Sequence, residues 1–249
     1  MSKKIKVLIW SNEKEIDKRE DFIKYFKESP IPDDELLTNL WIYMNRQSLS
    51  RLLFMSEIYT KIINTHWIII EFWVRRGQNL CLFSSLRWIY EPFNYNRKIV
   101  GFDTFWWFPE IAKQDGEKIA IGNYSVSDNY DEYLEKILEY HETESPISHI
   151  KKYELIKGDA TKTFEEYLDK NPHTIVALAY FDFDIYIPTK VCLEKLMKRI
   201  TKWSIIVFDE LNCAEFPGET LAVIETIGLS RYAIKRSPLN PLISYIIID

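Results

Sequence analysis

The 249-residue chain is 47% hydrophobic and 28% charged with a formal net charge of -5, a balance that supplies enough apolar surface for one α/β core and excludes long disorder. An acidic chain lacks the basic footprint that nucleic-acid binding needs, so a small-molecule partner is expected. Cys81, Cys192 and Cys213 stand far apart with no Cys-x-x-Cys spacing, which indicates neither a zinc site nor a disulfide framework.

The apolar run at residues 7–10 is too short for a signal core or a membrane span, and a cytoplasmic location without a membrane partner is expected. Residues 14–29 read as a charged helix stopped by the proline turn "SPIPDD". A second helical stretch is expected from Asp34 to about Asn64, where leucines and isoleucines recur at helical spacing. These segments make residues 1–66 an N-terminal helical extension in front of a domain covering 67–249. From Ile68 onward, apolar runs of strand length alternate with amphipathic helices, the pattern of βαβ units in a parallel sheet. Strands are predicted at 67–73, 98–103, 152–157, 174–182, 203–208, 231–236 and 242–249, with helices at about 78–90, 129–142, 161–170, 188–201 and 218–227. Ser127 or Asp128 is the expected N-cap of the helix near 129. The last two strands flank "SPLNP", a loop suited to antiparallel neighbours.

In open sheets of this kind ligands bind beyond the carboxyl ends of the strands. Five successive strands here exit into carboxylates: Glu71, Asp103, Asp159, Asp182 with Asp184, and Asp209 with Glu210. A single Asp at a strand end is commonly just a helix cap; five along one edge point to a binding site. Asp103 is placed to accept hydrogen bonds from ribose hydroxyls and Asp159 to lie near an adenine amino group, a pair that fits the adenosine of a nicotinamide cofactor or of S-adenosylmethionine. Asp182 and Asp184, two apart in an extended strand, are expected to share a face, with Asp209 and Glu210 arriving from the neighbouring strand. Such a cluster suits Mg²⁺ and also offers a general base; helix capping or pairing with Lys190 and Lys202 is the structural alternative.

"IIIEFWVRRGQNL", "IVGFDTFWWFP", "YELIKGDATKT", "ALAYFDFDIYIPTK" and "IIVFDELNCAEFPGE" together resemble the successive motifs of the macrocin O-methyltransferase (TylF/MycF) family, from about residue 40 to the end. The resemblance implies a Rossmann-like three-layer α/β/α sandwich, with a seven-stranded, mostly parallel sheet whose last strand is antiparallel. It implies S-adenosylmethionine and Mg²⁺ as cofactors, a sugar hydroxyl as methyl acceptor, and leaves a homo-oligomer open. Carried over by position, Glu71, Phe72, Trp73, Val74, Gly77, Gln78 and Asn79 would form the turn around the methionine portion. Asp103 with Thr104 would hold the ribose, and Asp159 with Ala160 would border the adenine. Asp182, Asp209 and Glu210 would be the metal ligands, Glu210 standing where Asp is usual, and Asp184 the base.

The chain holds seven Gly and eight Trp, and it departs from the family pattern by Trp in place of Gly at Trp73, Trp107 and Trp203, with Trp67, Trp88 and Trp41 as further cases. An indole at Trp73 is expected to impair cofactor binding. Exchanges confined to one residue type predict UGA codons read as glycine in the source's genetic code; UGG at 73, 107 and 203 would exclude this. The alternatives are a non-catalytic descendant of the fold and a nicotinamide-dependent oxidoreductase, the latter disfavoured because the first turn lacks a full G-x-G-x-x-G pattern.

Overall fold

The structure, a computed structural model, describes residues 12–106, 111–116 and 126–249. Trp107 and most of the aromatic segment that follows it lie outside the described residues. The chain divides into two compact units, one ending at Arg51 and the other covering Leu52–Asp249.

The first unit opens with α1 (Glu13–Lys27), whose capping box joins Asn12 and Glu15 reciprocally. α2 (Asp33–Leu36) and a 3₁₀ turn at Leu40–Tyr43 follow. Tyr43 packs edge-on against Phe26 at 5.1 Å between ring centroids and donates its hydroxyl to Ser29 Oγ at 2.8 Å. The single helix expected over 34–64 is therefore broken. Thr38 and Asn39 donate to the Glu35 carbonyl, and Asn45 Oδ1 accepts from Ser48 N at 2.8 Å to start α3 (Arg46–Ile62) afresh. Short polar side chains that bond the nearby backbone end helices and cap new ones, an effect that apolar spacing does not register.

The second unit contains β1 (Ile68–Phe72), α4 (Gln78–Tyr90), β2 (Ile99–Asp103), α5 (Tyr130–Thr143), β3 (Tyr153–Lys157) and α6 (Ala160–Lys170), then β4 (Val176–Phe181), α7 (Tyr186–Leu196), β5 (Ile200–Phe208), α8 (Pro217–Thr226), β6 (Lys235–Arg236) and β7 (Ser244–Ile247). They form one seven-stranded sheet in the order β3-β2-β1-β4-β5-β7-β6, with β7 antiparallel to both of its neighbours and the other pairings parallel. Strand β1 is buried at every position, as a parallel strand covered on both faces must be. Its alternate residues enter two cores. Ile68, Ile70 and Phe72 join Phe164, Leu193 and Val223 from α6, α7 and α8, whereas Ile69 joins Ile58, Phe83 and Leu138 from α3, α4 and α5. This period-two division makes the three-layer sandwich.

Helix α5 begins after Asn129, which holds φ 57° as its N-cap, in place of Ser127 or Asp128. Helix α7 ends at Leu196, short of the expected 201, because β5 already begins at Ile200. Between Val176↔Ile200 and Leu178↔Ile205 the register shifts, so β5 carries an irregularity around Trp203. No described helix is long and apolar enough to cross a membrane.

Candidate active site

Strand order reverses between β1 and β4, where β2 and β3 lie to one side and β5 to the other. At such a switch point the connecting chains leave in opposite directions and open a crevice at the carboxyl ends. The crevice here is lined by Trp73, Asp103, Thr104, Gly158, Asp159, Ala160 and Phe183, among others. Five positions expected to bind cofactor, Trp73, Asp103, Thr104, Asp159 and Ala160, thus meet at one cleft.

Asp103 organises the cofactor side. Its Oδ2 accepts from Arg75 N and its Oδ1 from Phe105 N, each at 2.5 Å. Both donors have positive φ, 51° and 52°, a conformation that costs a non-glycine residue about 1–2 kcal/mol and here aims two N–H groups at one carboxylate. Burial pushes the Asp103 carboxyl up to about 6 against the lowering effect of those N–H groups. Glu71, buried at the end of β1, accepts from Asn79 Nδ2 at 2.7 Å, which joins the end of β1 to the first turn of α4. Gly77 has φ 78°, and a Cβ there would stand 2.3 Å from Leu134 Cδ1, so only glycine lets the turn pass beneath α5. Asp159 Oδ1 caps α6 through Thr161 N at 3.0 Å and Thr161 Oγ at 2.7 Å.

The side chains of Phe72 and Val74 belong to the two cores, and Gln78 is exposed. Phe72 and Val74 therefore have backbone, not side chain, to offer a ligand, and Gln78 is not among the residues that line the cleft. Trp73 donates its N–H to Phe102 O at 2.8 Å and holds φ 70°; its half-buried indole packs on the core and lines the cleft.

On the other side of the switch point, Asp182 N donates to Phe72 O and Asp209 N to Phe181 O, so the two acidic exits sit next to each other. The expectation that Asp182 and Asp184 share a face of an extended strand is not met, because β4 ends at Phe181 and Asp184 turns left-handed at φ 61°. Asp184 nonetheless joins the cluster. It is buried, and burial first, then the charges of Glu210, Asp182, Glu219 and Asp209, hold its carboxyl well above the usual range. Lys190 pairs with Glu225 at 2.6 Å and with the Tyr186 hydroxyl at 3.0 Å, so it does not neutralise these acids. Tyr180 donates its hydroxyl to Asp209 Oδ1.

Two participants were not foreseen. Glu219, fully buried at the start of α8, accepts from Glu210 N at 3.1 Å, and burial raises its carboxyl well above the usual range. Asp115, also fully buried, accepts from Tyr186 N at 2.5 Å and Ala112 N at 2.7 Å and so fixes the start of α7. The sequence signal was faint: an acid in the first turn of a predicted helix for Glu219 and none for Asp115. The oxygen-only donor set has the chemistry of a Mg²⁺ site. Among the described residues, however, no three Asp, Glu, His or Cys side chains are arranged to hold a metal ion, and Asp182, Asp209 and Glu210 do not form a ligand set.

No family model matches the chain, and no curated protein matches its sequence. Solved structures do. A crystal structure of the calicheamicin methyltransferase CalS11 is similar with a TM-score of 0.92 at 35% identity, over 99% of this chain and 97% of that one. The apo structure of CalS11, described as a TDP-rhamnose 3'-O-methyltransferase, gives 0.85 at 34% identity over 98% and 99%. The O-methyltransferase NovP, at 14% identity and a TM-score of 0.60 over 80% and 79%, shares the fold. With more than a third of positions identical to CalS11 over nearly the whole of both molecules, the chain belongs to the CalS11 family of class I S-adenosylmethionine-dependent O-methyltransferases.

Proposed function

We propose that the site is built to methylate a sugar hydroxyl, that of a nucleotide sugar, a polysaccharide or a glycosylated metabolite, within the macrocin O-methyltransferase group. The observation that carries this reading is the division of one cleft edge. Asp103 and Asp159 stand on one side of the switch point, and the buried acid Asp184 stands on the other. CalS11, alike over almost its entire length, is named for methylation of TDP-rhamnose.

S-Adenosylmethionine supplies an electrophilic methyl group when bound. Asp103 would accept from the ribose hydroxyls, since each carboxylate oxygen that takes one backbone N–H keeps a second lone pair. Asp159 and Ala160 would border the adenine, and the backbone of residues 71–79 would follow the methionine portion. Asp184 would remove the acceptor hydroxyl proton as the oxygen takes the methyl group. A raised carboxyl pKa makes its ionised form the stronger base, and alignment of acceptor and methyl group supplies much of the rate. Mg²⁺ would fall to Asp182, Asp209 and Glu210 in this proposal, but those side chains do not converge as ligands and no step is assigned to an ion. The extension before residue 67 and the domain after it would be the functional division of the chain. A nicotinamide-dependent reaction gains no support from the relatives.

The test is transfer of isotopically labelled methyl from S-adenosylmethionine to TDP-rhamnose and other nucleotide sugars, with a catechol as the non-sugar control, using the chain and its Trp73→Gly variant. Label on a sugar hydroxyl with the Trp73→Gly variant is the expected result. Label on the catechol and on no sugar would overturn the acceptor class.

A further inference from the structure

Trp73 and Trp203 have the same backbone in unlike surroundings. Their φ angles are 70° and 74°, and no other described tryptophan has positive φ. This is the left-handed region, which glycine enters freely and a bulky residue enters only as an outlier. Trp203 is 67% exposed, so packing does not hold it there. Its N–H donates to Ile248 O at 2.6 Å, and the irregular stretch of β5 sets its backbone. Trp88 shows the contrast: it lies within α4, donates Nε1 to His141 O at 2.5 Å and carries the Arg87 guanidinium 3.7 Å from its ring centroid. Trp88 is a tryptophan with a tryptophan's partners. Trp73 and Trp203 occupy positions shaped for glycine.

At Trp73 this has a consequence for the cleft. The residue's N–H is fixed to Phe102 O and its neighbourhood is fixed by the Asp103 bonds to Arg75 and Phe105, so the backbone cannot swing the indole away. The ring instead lines the cleft together with Asp103, Gly158, Asp159, Ala160 and Phe183. The cavity that remains is about 30 Å³, room for roughly two water molecules, whereas sites that hold ligands of cofactor size span roughly 300–1,000 Å³.

We propose that the Trp73 indole is a stopper in the cofactor cleft: the chain as it stands excludes S-adenosylmethionine, and replacing that one side chain by hydrogen opens the site. The proposal rests on the methyltransferase reading given above, and its test separates the two. S-Adenosylhomocysteine is titrated calorimetrically into the chain and into Trp73→Gly, Trp73→Ala and Trp203→Gly variants, with thermal melting of each. The chain and the Trp203→Gly variant show no saturable heat up to about 1 mM ligand, while the Trp73→Gly variant binds at least about 100-fold more tightly than that limit. Trp73→Ala also binds, because bulk is what blocks the cleft, but melts below Trp73→Gly because it keeps a Cβ at positive φ. Trp203→Gly melts above the chain, by roughly 2–4 °C per kcal/mol of relieved strain.

Equal affinity of the chain and Trp73→Gly would overturn the stopper and leave the cofactor reading standing. Silence from every variant, each with an intact cooperative melt, would overturn both. Binding by Trp73→Gly but not by Trp73→Ala would overturn a stopper made of bulk.

Discussion

Beyond β1, β2 and β3 each carboxylate is met by an N–H: Glu71 by Asn79, Asp103 by Arg75 and Phe105, Asp159 by Thr161. Beyond β4 and β5, burial and then the charges of Glu210, Asp182, Glu219 and Asp209 push the Asp184 carboxyl well above the usual range. The residue type and the sheet edge are the same, and burial raises both Asp103 and Asp184, but backbone N–H groups oppose it at the first and neighbouring acids add to it at the second. A carboxylate fixed by backbone donors is a rigid acceptor, suited to recognising hydroxyl and amino groups. One crowded by other acids is held near the point of proton exchange, and its left-handed φ of 61° is a strain the surrounding fold must sustain. On the proposed reading the first half of the edge would bind and the other half would react.

The sharpest way to break that division is Asp184→Asn in the Trp73→Gly background. Asparagine tolerates the left-handed region well and is a neutral isostere among the neighbouring acids, so the variant is expected to fold with undiminished stability. Loss of a general base lowers turnover by about 10²–10⁴, with S-adenosylhomocysteine affinity within about twofold of the parent. Turnover within a factor of about three of the parent would remove Asp184 from the chemistry.

Asp103 tests the binding half. Its carboxyl is raised to about 6 in the folded chain, against about 4 when unfolded. The folded state therefore keeps a proton that the unfolded state releases. The associated stability is fully present below pH 4 and is lost as pH rises through about 6, on the order of 3 kcal/mol in all. In Asp103→Asn the overall level falls, because an amide offers a donor to one of two backbone N–H groups. The fall between pH 4 and 7 should nevertheless be shallower than in the parent, as read by denaturant titration at each pH. In the Trp73→Gly background S-adenosylhomocysteine affinity should drop about tenfold or more with the loss of a charged acceptor. An unchanged pH slope would mean that Asp103 stays ionised throughout.

Much of this edge could be read from the sequence, and the exceptions have a common cause. Runs such as residues 68–72 and 176–181 gave the buried parallel strands because a strand covered on both faces must be apolar throughout, and the acids that follow them marked the cleft. The resemblance to the family pattern pointed to positions 73 and 203, and the backbone there is the one glycine favours; UGA codons at both would account for the pair, and sequencing the gene would show them. The break at Asn39 and Asn45 escaped because single side-chain to backbone bonds, and not periodicity, decide it; the cap at Asn129 and the turn at Asp184 escaped because each rests on a left-handed backbone that periodicity does not register. Glu219 and Asp115 escaped because each acquires its role from a partner distant in sequence, the Glu210 and Tyr186 amides. Trp107, also expected to stand for glycine, lies outside the described residues.

The mildest test concerns Asp159, where capping and recognition share one carboxylate. Its Oδ1 is committed to Thr161, so removing the side chain in Asp159→Ala should cost about 1 kcal/mol of stability, the usual worth of an N-cap. Asparagine keeps an oxygen for the cap, and Asp159→Asn should melt close to the parent. The two substitutions part company at the ligand. With the amide oxygen turned to Thr161, the amide nitrogen takes the place of Oδ2 and presents a donor where an adenine amino group also donates. Asp159→Asn in the Trp73→Gly background should therefore weaken S-adenosylhomocysteine by about three- to tenfold while sparing stability. If affinity is unmoved by both Ala and Asn, Asp159 is a cap and nothing more. The acceptor role on that half of the edge would then fall to Asp103 alone, and the adenine would be held by the cleft's apolar walls at Phe102, Ala160 and Pro188.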